Sequence, residues 1–240
     1  MTAANGETVE IAEPPAQSPA RLAGVLFLLT FVTAIVPVVW FYGQVLHDPQ
    51  FISSTGSNAM LGLGALFELA LILANIGTAV VLFPTLRMQN EALALGYVAA
   101  RLVECGFIAM GIVALLAVGT LRGGNQDHDT LIVAGQALVA VHDWTFRLGP
   151  GVIVGIGNGL ILGWLMWRSR LVPRMLSILG LVGGPLILVS GAAVVLGAID
   201  AGGLWQGIAT IPEFFWELGL GLWLTVRGFD AKALSQLPAR

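Results

Sequence analysis

The chain has 240 residues, of which 57% are hydrophobic and only 10% charged, with 11 Lys and Arg against 14 Asp and Glu for a formal net charge of −3. Soluble domains carry about a quarter charged residues. With a mean hydropathy of +0.87, one cysteine and no basic tract, the composition excludes a water-soluble enzyme, a nucleic-acid binder and a disulfide scaffold, and predicts an integral membrane protein.

Residues 1–19 carry Glu7, Glu10 and Glu13 beside Pro14 and Pro15 without apolar periodicity, and read as a disordered tail. The lead is acidic and the apolar run behind it, about 22–42, is full length, so it is expected to be an uncleaved first span rather than a signal peptide. A second span is expected over about 60–83, closed by Pro84, and a third over about 92–116. The stretch 131–167 is too long for one crossing, since at 1.5 Å per residue it reaches on the order of 55 Å against a hydrocarbon core of about 30 Å. Gly149, Pro150 and Gly151 are expected to break it into an additional helix on the outer side (about 131–148) and span four (about 151–167). Span five follows over about 175–196, with Pro185 as a kink, and span six over about 208–226. The fold class is therefore all-α: a six-helix transmembrane domain over 20–228, between the tail 1–19 and a C-terminal tail 229–240.

Loop charge sets orientation. Arg21, Arg87, Arg168, Arg170, Arg174, Arg227, Lys232 and Arg240 fall on one side and only Arg122 on the other. Both tails are accordingly expected to be cytoplasmic, in a multi-pass protein of the cell membrane.

Ionisable residues at membrane depth cost several kcal/mol or more, so they face the bundle interior or a wet cavity. Glu68 and Asn75 are seven apart in span two, Arg101 and Glu104 three apart in span three, and Glu213 and Glu217 four apart in span six, each pair on one helix face. Asp143 and Arg147, four apart, sit beside His142 on the outer helix. Gathered in one cavity, Glu68, Glu104, Asp143, Glu213 and Glu217 are five acids against the two bases Arg101 and Arg147. Carboxylates so crowded cannot all ionise, which points to protons or a bound cation. The plainer alternative is that the same charges only lock helix register. Arg101 with Glu104 reads most simply as such an ion pair, while Glu213 reads equally as a cavity carboxylate and as a solvated one in a first helical turn.

Gly151, Gly155, Gly159 and Gly163 recur every four residues and form a packing stripe down span four, where small residues let backbones approach closely. The stripe serves either this chain or a homo-oligomer, and the sequence leaves both open. The Gly155-Ile156-Gly157-Asn158-Gly159 run is no nucleotide loop, because no strand precedes it. Enzyme templates fail: span four has no serine between its glycines, His47 and His128 lie in loops, and a paired aspartyl site lacks its second aspartate. No cofactor or metal is expected, since His142 alone is a poor metal site.

The run from Arg21 to Thr30, Arg101 with Glu104, His142 ahead of the glycine stripe, the 172–176 segment (VPRML), Pro212 with Glu213 and the run from Glu217 to Leu224 share order and spacing with a known family. Together they resemble bacterial six-span membrane proteins grouped as domain of unknown function 4386, over about 20–228. The resemblance implies the six-span fold and brings no activity with it. Three functional readings stand. The first is a small transporter or ligand-binding membrane protein with a polar cavity taking a small molecule, proton or cation. The second is a non-catalytic scaffold in the lipid bilayer, and the third a membrane enzyme of unrecognised type.

Overall fold

The computed structural model describes residues 17–53, 57–124 and 127–238. The expected N-terminal tail lies outside them except for its last three residues, which already belong to helix α1. The described residues are all helix and connecting turn. Helices α1 (Gln17–Val36), α2 (Gly43–His47), α3 (Ala59–Arg87), α4 (Glu91–Arg122), α5 (His128–Leu148), α6 (Gly163–Ser169), α7 (Arg174–Val195), α8 (Leu204–Val226) and α9 (Ala231–Ser235) follow in chain order. Five helical runs are long and apolar enough to cross a membrane: 17–41, 59–87, 91–122, 128–169 and 174–195. This is the pattern of a multi-pass membrane protein.

The side-chain distribution is turned inside out. Leu73, Val113, Val133 and Val189 point outward and are about two-thirds exposed or more, whereas Thr30, Thr33, Asn75, Arg101 and Glu104 are buried. Helices apolar on every side, with polar groups turned inward, suit a hydrocarbon surrounding rather than water.

Neighbours in sequence are neighbours in space. Helix α1 packs on α3, α3 on α4, α4 on the segment 149–162, that segment on α7, and α7 on α8, which closes the ring against α1. Helix α5 lies outside the ring against α4. Where α1 and α8 meet, Gly24 stands so close to the backbone of Gly221 and Thr225 that a Cβ would collide with it. At this end Gln17 donates to the Phe229 carbonyl at 2.8 Å and accepts from the Phe229 amide at 3.0 Å. The start of α1 and the segment after α8 are thereby tied together at the end that also carries the basic loops. Tyr97, Phe27, Leu162, Met166, Trp216 and Leu224 fill this half of the bundle.

The Gly149-Pro150-Gly151 site differs from the expected break. The backbone widens instead into a π-helical turn, Gly149–Ile153, and a second π segment, Gly155–Leu162, carries the run into α6. Pro150 has no N–H to give the preceding turn, and a wider turn accommodates its ring without ending the helix. Pro84 likewise lies inside α3, which continues to Arg87, and Pro185 lies inside α7.

The glycine stripe packs within the chain. A Cβ on Gly155 would stand 2.8 Å from the Gly184 carbonyl oxygen, and one on Gly159 would stand 2.5 Å from Gly184 Cα. The two backbones run in contact because neither side carries a side chain there. Gly163 approaches Leu181 and Ser177 of α7 less tightly, and Gly151 faces the Phe146 carbonyl.

Candidate functional site

Helix α4 sets the centre of the site. Arg101 and Glu104 fall on its buried face, one turn apart, and Arg101 Nη1 meets Glu104 Oε2 at 2.8 Å. Asn75, projecting from α3, joins both: its Oδ1 accepts from Arg101 Nη2 at 2.7 Å and its Nδ2 donates to Glu104 Oε1 at 3.3 Å. Thr78 Oγ1 adds a long contact to Arg101 Nη2 at 3.4 Å, and Phe27 of α1 lies 5.9 Å beneath the guanidinium. Both Glu104 oxygens and both terminal Arg101 nitrogens are bonded, which offsets part of the pair's desolvation, while Arg101 Nε has no partner among the described residues.

Helix α8 contributes the carboxylates. It begins at Leu204, so Glu213 lies nine residues in, about 14 Å from the helix start. It is therefore not the solvated first-turn group expected from a span starting near 208. Glu213 is 2% exposed, and neither of its oxygens has a hydrogen-bond partner among the described residues. Its Oε2 is wedged between two glycines, since a Cβ at Gly183 or Gly159 would come within 2.8 Å of it. One turn on, Glu217 Oε1 accepts from Asn158 Nδ2 in the π segment, while Trp216 Nε1 donates to the Asn158 carbonyl at 2.9 Å. The carbonyl of Asn158 also receives the Gly163 amide, five residues on. The π register thus brings Asn158 to α8 through both its side chain and its backbone.

Several of these groups line one cavity of about 440 Å³ between α1, α3, α4, α8 and the 149–162 segment, with Phe146 of α5 and Ile187 of α7 on its wall. Asn75, Arg101, Glu104, Glu213 and Glu217 are its polar wall; Phe31, Leu71, Phe146, Val154, Ile187 and Phe214 are among its apolar ones. Its rim includes Ile35, Val38, Val39 and Phe214, all at least 41% exposed on the outer surface of the bundle.

The other residues singled out from sequence lie elsewhere. Glu68 is 1% exposed, accepts from the Tyr42 hydroxyl at 2.9 Å and stands 3.6 Å from His142 Nε2. His142 also stands 3.7 Å from Asp143, itself 3.6 Å from Arg147 on the half-exposed flank of α5. This second cluster ties α5 and the end of the first span to α3 and does not line the cavity. Two participants carry no signal in the sequence pattern. Asn158 was hidden within a glycine run whose periodicity reads as packing, although it is an amide inside an apolar helix. Tyr42 stands where an apolar run ends, and no spacing links it to Glu68.

Among the described residues no group of three or more His, Cys, Asp or Glu is placed to hold a metal ion. A family model described as Domain of unknown function (DUF4386) matches residues 22–228. No curated protein and no solved structure matches the chain.

Proposed function

The chain belongs to the DUF4386 family, and from that premise we propose that it is a membrane protein that binds, and as a small transporter moves, a ligand held in the cavity between α1 and α8. In this reading α8 is a sixth crossing. Its 23 residues are long enough, and Glu213, Glu217 and Pro212 lower its hydropathy because they serve the cavity. Helix α5 is the additional outer helix. Both tails face the cytoplasm, on the side of Arg87, Arg168, Arg170, Arg174 and Arg227.

The observation that carries the proposal is Glu213. A carboxylate withdrawn from solvent with no hydrogen bond among the described residues is destabilising to the fold. Such a group is kept where a ligand or proton completes it. Glu217, positioned by Asn158, takes and releases a proton, and Arg101 holds Glu104 and the electrostatic balance of the wall. The mutual hydrogen bonds of Arg101, Glu104 and Asn75 favour a second reading, a scaffold whose charges fix helix register.

The test is whether the cavity holds water, because a ligand site for polar groups must be wet when empty. Hydroxyl-radical labelling in nanodiscs should modify Ile187 and Leu71 on the cavity wall and spare Ile108 and Leu162 in the packed core. If Ile187 and Leu71 stay as unmodified as Ile108, the interior is dry and the scaffold reading takes over.

A further inference from the structure

The cavity's chemistry narrows what it would take. Of its charged groups, Glu104 is matched by Arg101, and no second base stands within ion-pair distance of Glu213 or Glu217 among the described residues. The wall therefore carries three carboxylates against one guanidinium; the Glu213 oxygens are sealed beside Gly159 and Gly183, while the partly buried Glu217 gives one oxygen to Asn158 and keeps the other without a hydrogen bond among the described residues. The absence of a converging ligand set among the described residues argues against an inorganic divalent cation, which needs several oxygens at once.

The rest of the wall is apolar and partly aromatic. Phe31 and Phe214 meet edge to face at 5.2 Å on the cavity, with Phe146 also on its wall. Ring faces attract organic cations, most strongly where water is excluded. A volume of about 440 Å³ falls within the range of about 300–1,000 Å³ that accepts a small organic molecule. The exposed rim of Ile35, Val38 and Val39 is dressed for acyl chains rather than for water.

Resting on the ligand-binding reading above, we propose that the cavity takes an amphiphilic organic monocation, its ammonium against Glu217 with Glu213 one turn behind, and its apolar body against Phe31, Phe146 and Phe214, admitted sideways from the bilayer. The ammonium belongs either to a free lipophilic amine or to the headgroup of a membrane lipid.

The test uses two ions of the same shape and opposite sign, tetraphenylphosphonium and tetraphenylborate, with the full chain in nanodiscs. Saturable binding of the phosphonium is expected, weakened about tenfold or more in Glu217→Gln, with no saturable binding of the borate. A Glu213→Gln variant, checked for folding by its melting curve, keeps the test informative if Glu217→Gln does not fold, and should weaken binding in the same direction. Displacement by octylamine alone identifies a free amine as the source, and displacement by short-chain phosphatidylethanolamine identifies a lipid headgroup; either supports the class. Absent phosphonium binding, binding indifferent to both substitutions, or preference for the borate overturns the proposal. If Ile187 is nevertheless labelled by radicals, the cavity remains a ligand site and only the cation is wrong; if it is not, both readings fall together.

Discussion

Arg101 and Glu104 stand one turn apart on α4 and close at 2.8 Å, with Asn75 of α3 bonded to both. Breaking one side leaves a buried charge without its partner, which costs about 3–5 kcal/mol. Glu104→Gln and Arg101→Met should each destabilise the bundle by that order in denaturant titrations in mixed micelles. Arg101→Met/Glu104→Leu together should cost less than the sum of the single changes. Additive losses would mean that the two side chains act separately.

The contact between Gly159 and Gly184 fixes how closely the π segment and α7 approach. In Gly159→Ala the new methyl would meet Gly184 Cα at 2.5 Å and Glu213 Oε2 at 2.8 Å. Backbone, unlike a flexible side chain, cannot move aside cheaply, so a loss of about 1–3 kcal/mol is expected. Gly106→Ala, where a Cβ meets nothing within 4 Å, should be neutral or stabilising. Melting curves of the two variants separate these outcomes, and equal behaviour would refute the close approach.

Tyr42 gives Glu68 its hydrogen bond at 2.9 Å at the far end of the first span. Tyr42→Phe keeps the ring against His142 and removes only the donor. A bond to a charged acceptor is worth about 1.5–3 kcal/mol, so the variant should lose stability on that scale while phosphonium binding, which depends on the separate cavity, is unchanged. Lost binding would join the two clusters that the geometry keeps apart.

Asp127 caps α5, its Oδ2 accepting from the Thr130 amide at 3.0 Å, and hydrogen bonding to Thr130, its side chain first and then that amide, holds the Asp127 carboxyl below the ordinary carboxylate range. A depressed folded-state value stabilises above the unfolded value and is lost as pH falls through the folded one. Asp127→Ala should therefore lower the melting temperature at neutral pH, and the gap to wild type should narrow on acidification below the usual carboxylate range. A gap that widens in acid contradicts the cap.

Composition made the membrane-helix fold legible, because a run of apolar residues longer than a bilayer is thick allows little else. Spacing showed which polar residues share a face: Arg101 with Glu104, and Glu213 with Glu217. What spacing cannot carry is which faces meet across helices. Spacing alone therefore does not separate Glu68 and His142 from Glu217, whereas the ring of helices sends them to a different layer. The continuation through Gly149, Pro150 and Gly151 was illegible for another reason. Proline and glycine signal a break in an isolated helix, and only packing against α4 and α7 makes a wide π turn the better answer. Asn158 reaches Glu217 through that register, so no helical repeat of 3.6 residues reveals it.

The account rests on Glu213 being held for a ligand rather than for the fold. Its most direct test is the melting temperature of Glu213→Gln against wild type, in detergent at neutral pH and without added ligand. Relieving a buried carboxylate kept for function should stabilise the chain, raising the melting temperature by about 2–4 °C for each kcal/mol recovered. A lower melting temperature would contradict the account, because Glu213 would then be one of the groups holding the bundle together.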